Sequence, residues 1–152
     1  MVINMYKNKF HIWLNLLLVI LFYFTASSQQ PFINIDFKKE IGERLYRIHE
    51  GFQRLKKEGF NVDAVAPQAA IYLTVKIDLA GKKTADGTIL ESQADVTSYI
   101  LDEAKLAIVP FSAFGASKSS PWYRLSVGTC RKENIAAMFQ QLREAMEKLT
   151  SQ

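Results

Sequence analysis

Three stretches of the chain show the hydrophobic spacing of amphipathic helices, with apolar residues recurring every three or four positions. The first stretch carries Phe37, Ile41, Leu45, Ile48, Phe52 and Leu55. The second carries Val96, Tyr99, Ile100 and Ala104, and the last carries Ile135, Met138, Phe139, Leu142, Met146 and Leu149. Gly59 follows the first stretch and is a natural helix stop. The spacing predicts three helices, each with one buried face.

Three further segments have the pattern of β-strands. Residues 70–78 alternate strictly between apolar and polar side chains. Residues 107–111 are uniformly apolar and predict a strand buried on both faces. Residues 122–128 predict a third strand, with Arg124 on the side opposite Tyr123 and Leu125. The predicted order of elements is α, β, α, β, β, α, which favours a two-layer α+β architecture.

Residues 1–31 follow a different pattern. Lys7 and Lys9 are followed by the nearly continuous apolar run 12–24 and then by small residues up to Ser28. As a helix the run is about 20 Å long, shorter than the roughly 30 Å hydrocarbon core of a membrane. We expect a signal peptide cleaved near Ser28 or Gln29. An uncleaved membrane anchor through residues 10–24, or foreign sequence behind a mis-assigned start, stays open, and the domain proper is expected at 32–152.

Composition limits the possible function classes. A chain of 152 residues with 49% hydrophobic and 22% charged residues has the length of one domain and enough apolar content for a core. Beyond Lys7 and Lys9 the charge is nearly balanced, with 17 basic against 15 acidic residues, so nucleic acid is not an expected partner. The single cysteine, Cys130, forms no internal disulfide, and with two histidines it makes a poor metal-ligand set.

Three motifs, in this order and spacing, resemble a known family. They are Pro-Gln-Ala-Ala-Ile-Tyr-Leu at 67–73, Leu-Ala-Ile-Val-Pro-Phe-Ser-Ala-Phe-Gly at 106–115 and Tyr-Arg-Leu-Ser-Val-Gly at 123–128. With the final amphipathic helix they resemble the C-terminal small domain of class I and II aminotransferases, pyridoxal-phosphate enzymes of fold type I, most closely the aspartate type. The resemblance covers about residues 32–149. It implies helices packed on a small, mainly antiparallel sheet.

The resemblance gives Arg124 a role. It matches the arginine that holds the α-carboxylate of the amino-acid substrate, and a planar guanidinium offers paired donors suited to a carboxylate. The alternative is an edge-strand arginine facing solvent. Phe111 and Phe114 lie in a loop that the family places near the substrate entrance, and we interpret both as packing residues.

Other candidate residues are interpreted as non-catalytic. Lys118 follows a serine, as the Schiff-base lysine does in the Ser-Lys signature of aminotransferases. In the family, however, that lysine belongs to the large domain, upstream of the small one. We therefore expect Lys118 to be a solvated loop residue. His49 is expected to be partly exposed beside the first helix's apolar stripe, and nothing near Cys130 suggests a lowered pKa. The basic residues Arg54, Lys56 and Lys57 are expected to form a solvated helix face.

The resemblance also implies what this chain lacks. In the family the imine-forming lysine, the carboxylate on the pyridine nitrogen and the phosphate cradle all come from the large domain. No segment here matches them, so we expect no catalytic residues in this chain. We expect a fragment of an aminotransferase that is inactive alone and binds no pyridoxal phosphate alone. The parent enzyme would be a homodimer acting on an amino acid and a 2-oxo acid, with a large domain packed on this one.

Two other interpretations stay open. The chain could be an exported or membrane-tethered module with a binding or structural role, or one half of a split aminotransferase. The family implies a cytoplasmic location, whereas the N-terminal segment suggests export or membrane association. If the large domain is missing, an apolar patch should be exposed on this one.

Overall fold

The computed structural model describes residues 35–68, 71–128 and 130–151. The signal-like segment 1–31 lies outside the described residues. Lys38–Gln152 forms one compact unit. No helix in the described ranges combines the length and the apolar character needed to cross a membrane.

Helix α1, Ile35–Lys57, is the first of the three predicted helices. Its predicted apolar face is buried, except at Phe37. The buried residues are Ile41, Leu45, Ile48, Phe52 and Leu55. Phe37 was expected on this face but is 53% exposed, and the first buried residue of the helix is Ile41. Gly59, with a φ of 98°, ends the helix as predicted. The basic residues Arg54, Lys56 and Lys57 are exposed in its last turn, where they complement the helix dipole.

A four-stranded antiparallel sheet forms the second layer, in the order β1-β2-β4-β3. The strands are β1 (Val62–Ala64), β2 (Tyr72–Ile77), β3 (Val109–Pro110) and β4 (Trp122–Ser126). Strands β2 and β4 confirm the predicted strands at 70–78 and 122–128. Strand β1 was not predicted, since it has only three residues and a polar one, Asp63, in the middle. The two-layer α+β fold with an antiparallel sheet is confirmed.

The predicted strand at 107–111 is wrong in extent and in burial. Only Val109 and Pro110 pair with β4, and Val109 is 40% exposed. Proline has no N–H to donate to a ladder, and Phe111 starts a 3₁₀ turn, Phe111–Phe114. The segment lies at an edge of the sheet, and its exposed Val109 shows that it is not buried on both faces, although Leu106 and Ile108 do reach the core.

The remaining two helices are α2, Gln93–Ala104, and α3, Ile135–Glu147. Helix α3 packs on α1 through an edge-to-face contact of Phe52 and Phe139, whose ring centroids are 5.3 Å apart. Gly51 permits this approach, because a Cβ there would lie 2.1 Å from the Phe139 ring. Tyr99 of α2 donates a hydrogen bond to the carbonyl of Ala145 at 2.7 Å. Both predicted helices are therefore confirmed, and they share one core with α1.

The sheet has two unlike faces, set by the register of β2 and β4. Leu73 lies opposite Leu125, and Thr74 lies opposite Arg124. The inner face packs on the helices and is made of Leu73, Val75, Ile77, Tyr123, Leu125 and Val127. The outer face carries Tyr72, Thr74, Lys76, Trp122, Arg124 and Ser126. Strand alternation thus separates the core from the surface on which Arg124 lies.

Candidate functional site

Arg124 lies near the centre of the outer face of the sheet. Its neighbours along β4, Tyr123 and Leu125, are buried on the inner face, so the alternation of the strand directs Arg124 to the other side. Thr74 of β2 and Val109 of β3 are its cross-strand partners. The side chain is half-buried. Arg124 is therefore a central-strand residue, which excludes the alternative of an arginine on an edge strand.

Two aromatic rings contact the Arg124 guanidinium. Its Cζ lies 4.3 Å from the ring centroid of Tyr72 and 4.5 Å from that of Phe114. Tyr72 begins β2, and Phe114 ends the 3₁₀ turn Phe111–Phe114. Both distances are within the range of a cation–π interaction. Sequence reasoning missed Tyr72, although it lies in the first of the three motifs and alternation puts it on the outer face.

The loop that carries Phe114 has a defined conformation. Gly115 has a φ of 89° and donates its N–H to the carbonyl of Ser112 at 3.2 Å. Phe111 packs edge to face on Phe114, with ring centroids 6.3 Å apart. Phe111 is half-buried and fits the packing interpretation. Phe114 packs too, but on the guanidinium of Arg124.

No acidic side chain forms an ion pair with Arg124 among the residues that the structure describes. The other cation on the outer face, Lys76, is 3.5 Å from the carboxylate of Asp78 and donates to Asn61. The N–H donors of Arg124 are thus not paired with any described carboxylate, whereas the ammonium of Lys76 is paired with Asp78. An arginine whose donors are unpaired can bind the carboxylate group of a ligand.

Two lysines elsewhere, Lys132 and Lys148, are paired with carboxylates. Lys132 donates to Glu40 at 2.7 Å and to Glu43 at 2.8 Å, which lowers the pKa of Glu43 and raises that of Lys132. Lys148 pairs with Glu103 at 2.7 Å and lowers the pKa of that carboxyl. These pairs join α3 and its surroundings to the neighbouring helices. Their role is structural.

The other candidate residues lie apart from Arg124's contacts. Lys118 is exposed in the turn 117–120, as predicted. His49 is partly exposed on α1, with Nδ1 3.8 Å from the Glu50 carboxylate. Burial raises the pKa of the Cys130 thiol, the direction opposite to that of an activated cysteine. The structure brings none of these three to the guanidinium.

Neither the N-terminus of α2 nor the lysine of the cleft between α1 and α3 fits the pyridoxal phosphate that the resemblance implies. A phosphate cradle often uses free N–H groups at a helix N-terminus. At α2 one of these groups is already used, because the Ser92 hydroxyl oxygen accepts the N–H of Asp95 at 3.2 Å. Lys132, the lysine lining a cleft of about 630 Å³ between α1 and α3, is held by two glutamates. No step through the cofactor is therefore assigned to these residues.

Comparison with known proteins identifies relatives. The family model for aminotransferase class I and II matches residues 24–142. The aspartate aminotransferase of Rhizobium meliloti strain 1021 is 31% identical over 121 residues, which cover 76% of this chain and 26% of the relative. A probable aspartate/prephenate aminotransferase of Rickettsia conorii is 43% identical over 68 residues, covering 44% of this chain and 16% of that protein.

Solved structures agree with the sequence relatives. The crystal structure of the aspartate aminotransferase from Rhizobium meliloti superposes with a TM-score of 0.62 at 25% identity, over 74% of this chain and 26% of that one. The aromatic aminotransferase from Pyrococcus horikoshii shares the fold, with a TM-score of 0.55 at 23% identity over the same shares of the two chains. This chain spans about a quarter of such relatives or less. The family match extends over most of the sequence, and the chain belongs to the aminotransferase class I and II family.

Proposed function

We propose that this chain is the part of an aminotransferase that binds the substrate's α-carboxylate, and that Arg124 is the residue that binds it. The observation that supports this role is an arginine on an exposed sheet face whose donors are not paired with any described carboxylate. A guanidinium presents two parallel N–H groups that match the two oxygens of a carboxylate. Arg124 also lies in the Tyr-Arg-Leu-Ser motif, within the segment matched by the family model.

The proposed reaction is the exchange of an amino group between an amino acid and a 2-oxo acid. Both substrates carry a carboxylate next to the reacting carbon, so one arginine serves both. Pyridoxal phosphate, when bound to an intact enzyme of this family, supplies the electron sink for the reacting carbon. The contribution of this chain is to bind the carboxylate and orient the substrate, which fixes the reacting carbon in place.

The surroundings of Arg124 suggest that another part of the enzyme covers this face. Tyr72, Val109 and Phe114 are 40%, 40% and 54% exposed, and they form an apolar surface around the guanidinium. An arginine–carboxylate pair is weak in bulk water and stronger where water is excluded. We propose that the portion of the relatives that this chain does not span packs here and closes the site. These three exposed residues form an apolar patch of the kind expected where a large domain packs.

A turnover assay tests whether this chain binds the carboxylate without catalysing the reaction by itself. The purified full chain is mixed with pyridoxal phosphate, L-aspartate and a 2-oxo acid, and amino-group transfer is followed over time. We expect no transfer above the rate without protein. Transfer that disappears in Arg124→Ala would show that the chain holds a complete active site and would contradict the proposal.

A co-purification experiment separates a split enzyme from a stand-alone module. The tagged full chain is expressed in its own organism, and a partner bound to it is identified by mass and by the absorbance of pyridoxal phosphate. A cofactor-bearing partner that is lost when Val109→Glu is introduced on the outer face supports a split enzyme. Isolation of the chain alone, outside the cytoplasm and cleaved near Ser28, supports the exported module instead.

A further inference from the structure

We propose that Tyr72 and Phe114, called here the aromatic pair, are positioning residues that hold the Arg124 guanidinium in place for a carboxylate. The proposal rests on the proposed function, because it assigns the aromatic pair to the same site. The proposed function uses these two residues only as part of the apolar surface around the guanidinium. Both contact the guanidinium from elements other than β4, Tyr72 from β2 and Phe114 from the 3₁₀ turn.

The chemistry of the contact leaves the arginine free to bind. A ring face attracts a cation through its quadrupole and accepts no conventional hydrogen bond from it. A carboxylate partner would instead occupy the N–H donors, as Glu40 and Glu43 occupy those of Lys132. The aromatic pair therefore restrains the guanidinium while its donors stay available to a ligand.

A second arginine in the same molecule shows the contrast. Arg143 also lies over a ring, with its Cζ 5.8 Å from the centroid of Phe60, but it forms an ion pair with Glu58. Its donors are used within the fold. Arg124 lies more than 1 Å closer to each of its two rings and has no such ion pair among the described residues. Arg143 thus has the contacts of a structural residue, whereas Arg124 has donors available to a ligand.

Core packing does not account for the position of the aromatic pair. Tyr72 and Phe114 stay substantially exposed, whereas the core ring of Phe52 is fully buried. Phe114 is directed to Arg124 by the 3₁₀ turn, by the positive φ of Gly115 and by the contact with Phe111. The local structure of the 106–115 motif thus places the Phe114 ring against the guanidinium of Arg124, so that this motif contacts the 123–128 motif. Tyr72, from the 67–73 motif, contacts the same guanidinium.

Restraint matters because arginine is flexible. A free arginine side chain loses much rotamer freedom when it binds, and less is lost if its position is already fixed. Losing the restraint of one such side chain corresponds to an expected loss of about two- to tenfold in carboxylate affinity when both rings are removed.

The test uses NMR of the ¹⁵N-labelled full chain, with acetate as the carboxylate probe. The Nε–Hε signal of Arg124 is assigned by its disappearance in Arg124→Lys. Its ring-current shift and its ¹⁵N relaxation are measured in the wild type and in the double variant Tyr72→Leu with Phe114→Leu. Tyr46→Leu removes an exposed tyrosine from α1 and is the matched control, and Tyr72→Phe keeps the ring. The amide spectrum of each variant reports whether it is folded.

We expect the Arg124 signal to be shifted upfield and ordered in the wild type, in Tyr46→Leu and in Tyr72→Phe. In the double variant it should lose the shift, become mobile and bind acetate about two- to tenfold more weakly. An Arg124 that is equally ordered in the double variant, or that binds acetate equally well there, overturns the positioning role. Acetate that moves no Arg124 signal in the wild type contradicts the proposed function instead, and the relaxation data still decide whether the rings restrain the side chain.

Discussion

The two faces of the sheet are built from the same strands but follow different physical rules. On the inner face Leu73, Val75, Tyr123 and Leu125 are buried against the helices, and every one of them adds to a single core. On the outer face the residues between them are polar, charged or aromatic and are half-buried or exposed, with Arg124 near the centre. The inner face explains why the chain folds. The outer face carries Arg124 and its aromatic neighbours, the residues to which a function is assigned.

This difference shows that stability and function can be separated by one residue along β4. Arg124 is flanked by two buried residues, which fix its backbone and its direction. Its own side chain contributes little to the core. A substitution at Arg124 should therefore act on binding, and one at Leu125 should act on folding.

The largest expected effect is that of Leu125→Ala on the inner face. Removing a buried leucine side chain loses its transfer free energy and leaves a cavity, so the free energy of unfolding should fall by about 2–5 kcal/mol. Urea unfolding of the full chain, followed by circular dichroism, measures it. The control is Ser126→Ala, one position further on and exposed, for which we expect a change within about 0.5 kcal/mol. Equal losses in the two variants would mean that the faces do not differ as described.

The next effect concerns Tyr123, the largest side chain of the inner face. Burial, aided by the negative charge of Asp78, raises the pKa of Tyr123 to about 12. An unfolded tyrosine ionises near pH 10. Because the folded state favours the neutral phenol, Tyr123 stabilises the fold fully below pH 10, and this contribution of about 2–3 kcal/mol is lost as the pH rises through 12. The comparison is urea unfolding of wild type and Tyr123→Phe at pH 8, 10 and 11.5. The stability of the wild type relative to the variant should fall over this range, and parallel pH profiles would contradict the prediction.

The smallest effect is expected for Arg124→Ala on the outer face. Two partly exposed ring contacts contribute about 0.5–1 kcal/mol each, so the free energy of unfolding should fall by no more than about 1–2 kcal/mol. The same urea titration measures this loss. A loss as large as that of Leu125→Ala would make Arg124 a structural residue and would remove the contrast between the faces.

The sequence predicted the helices and the two central strands because their signals are local. Apolar residues three or four positions apart define α1, α2 and α3, and strict alternation defines β2. Strand β1 was missed because three residues centred on Asp63 make no pattern. The strand expected at 107–111 was misjudged because apolar character alone does not show that Pro110 ends the pairing.

The candidate site was only partly predictable. Arg124 was identified from its motif and from alternation. Its contact with Tyr72 and Phe114 depends on the register of β2 with β4 and on the turn at Gly115, and these bring together residues far apart in the chain. No hydrophobic periodicity in the sequence predicts this contact. Tertiary structure was needed to show that Phe114 packs on the guanidinium.

The central claim is that Arg124 binds the substrate's carboxylate, and a chimera tests it most directly. The segment of the Rhizobium meliloti aspartate aminotransferase aligned with this chain is replaced by this chain's sequence, and kcat/KM for L-aspartate is measured for the active chimera and two variants. Arg124→Gln removes the proposed ligand, and Lys118→Gln removes an equal charge from the exposed loop nearby in sequence.

We predict that Arg124→Gln lowers kcat/KM by about 30-fold or more, as expected when a charged hydrogen-bonded pair is broken in a closed site, and that Lys118→Gln changes it less than about twofold. Equal kcat/KM values for the chimera and its Arg124→Gln variant would contradict the account.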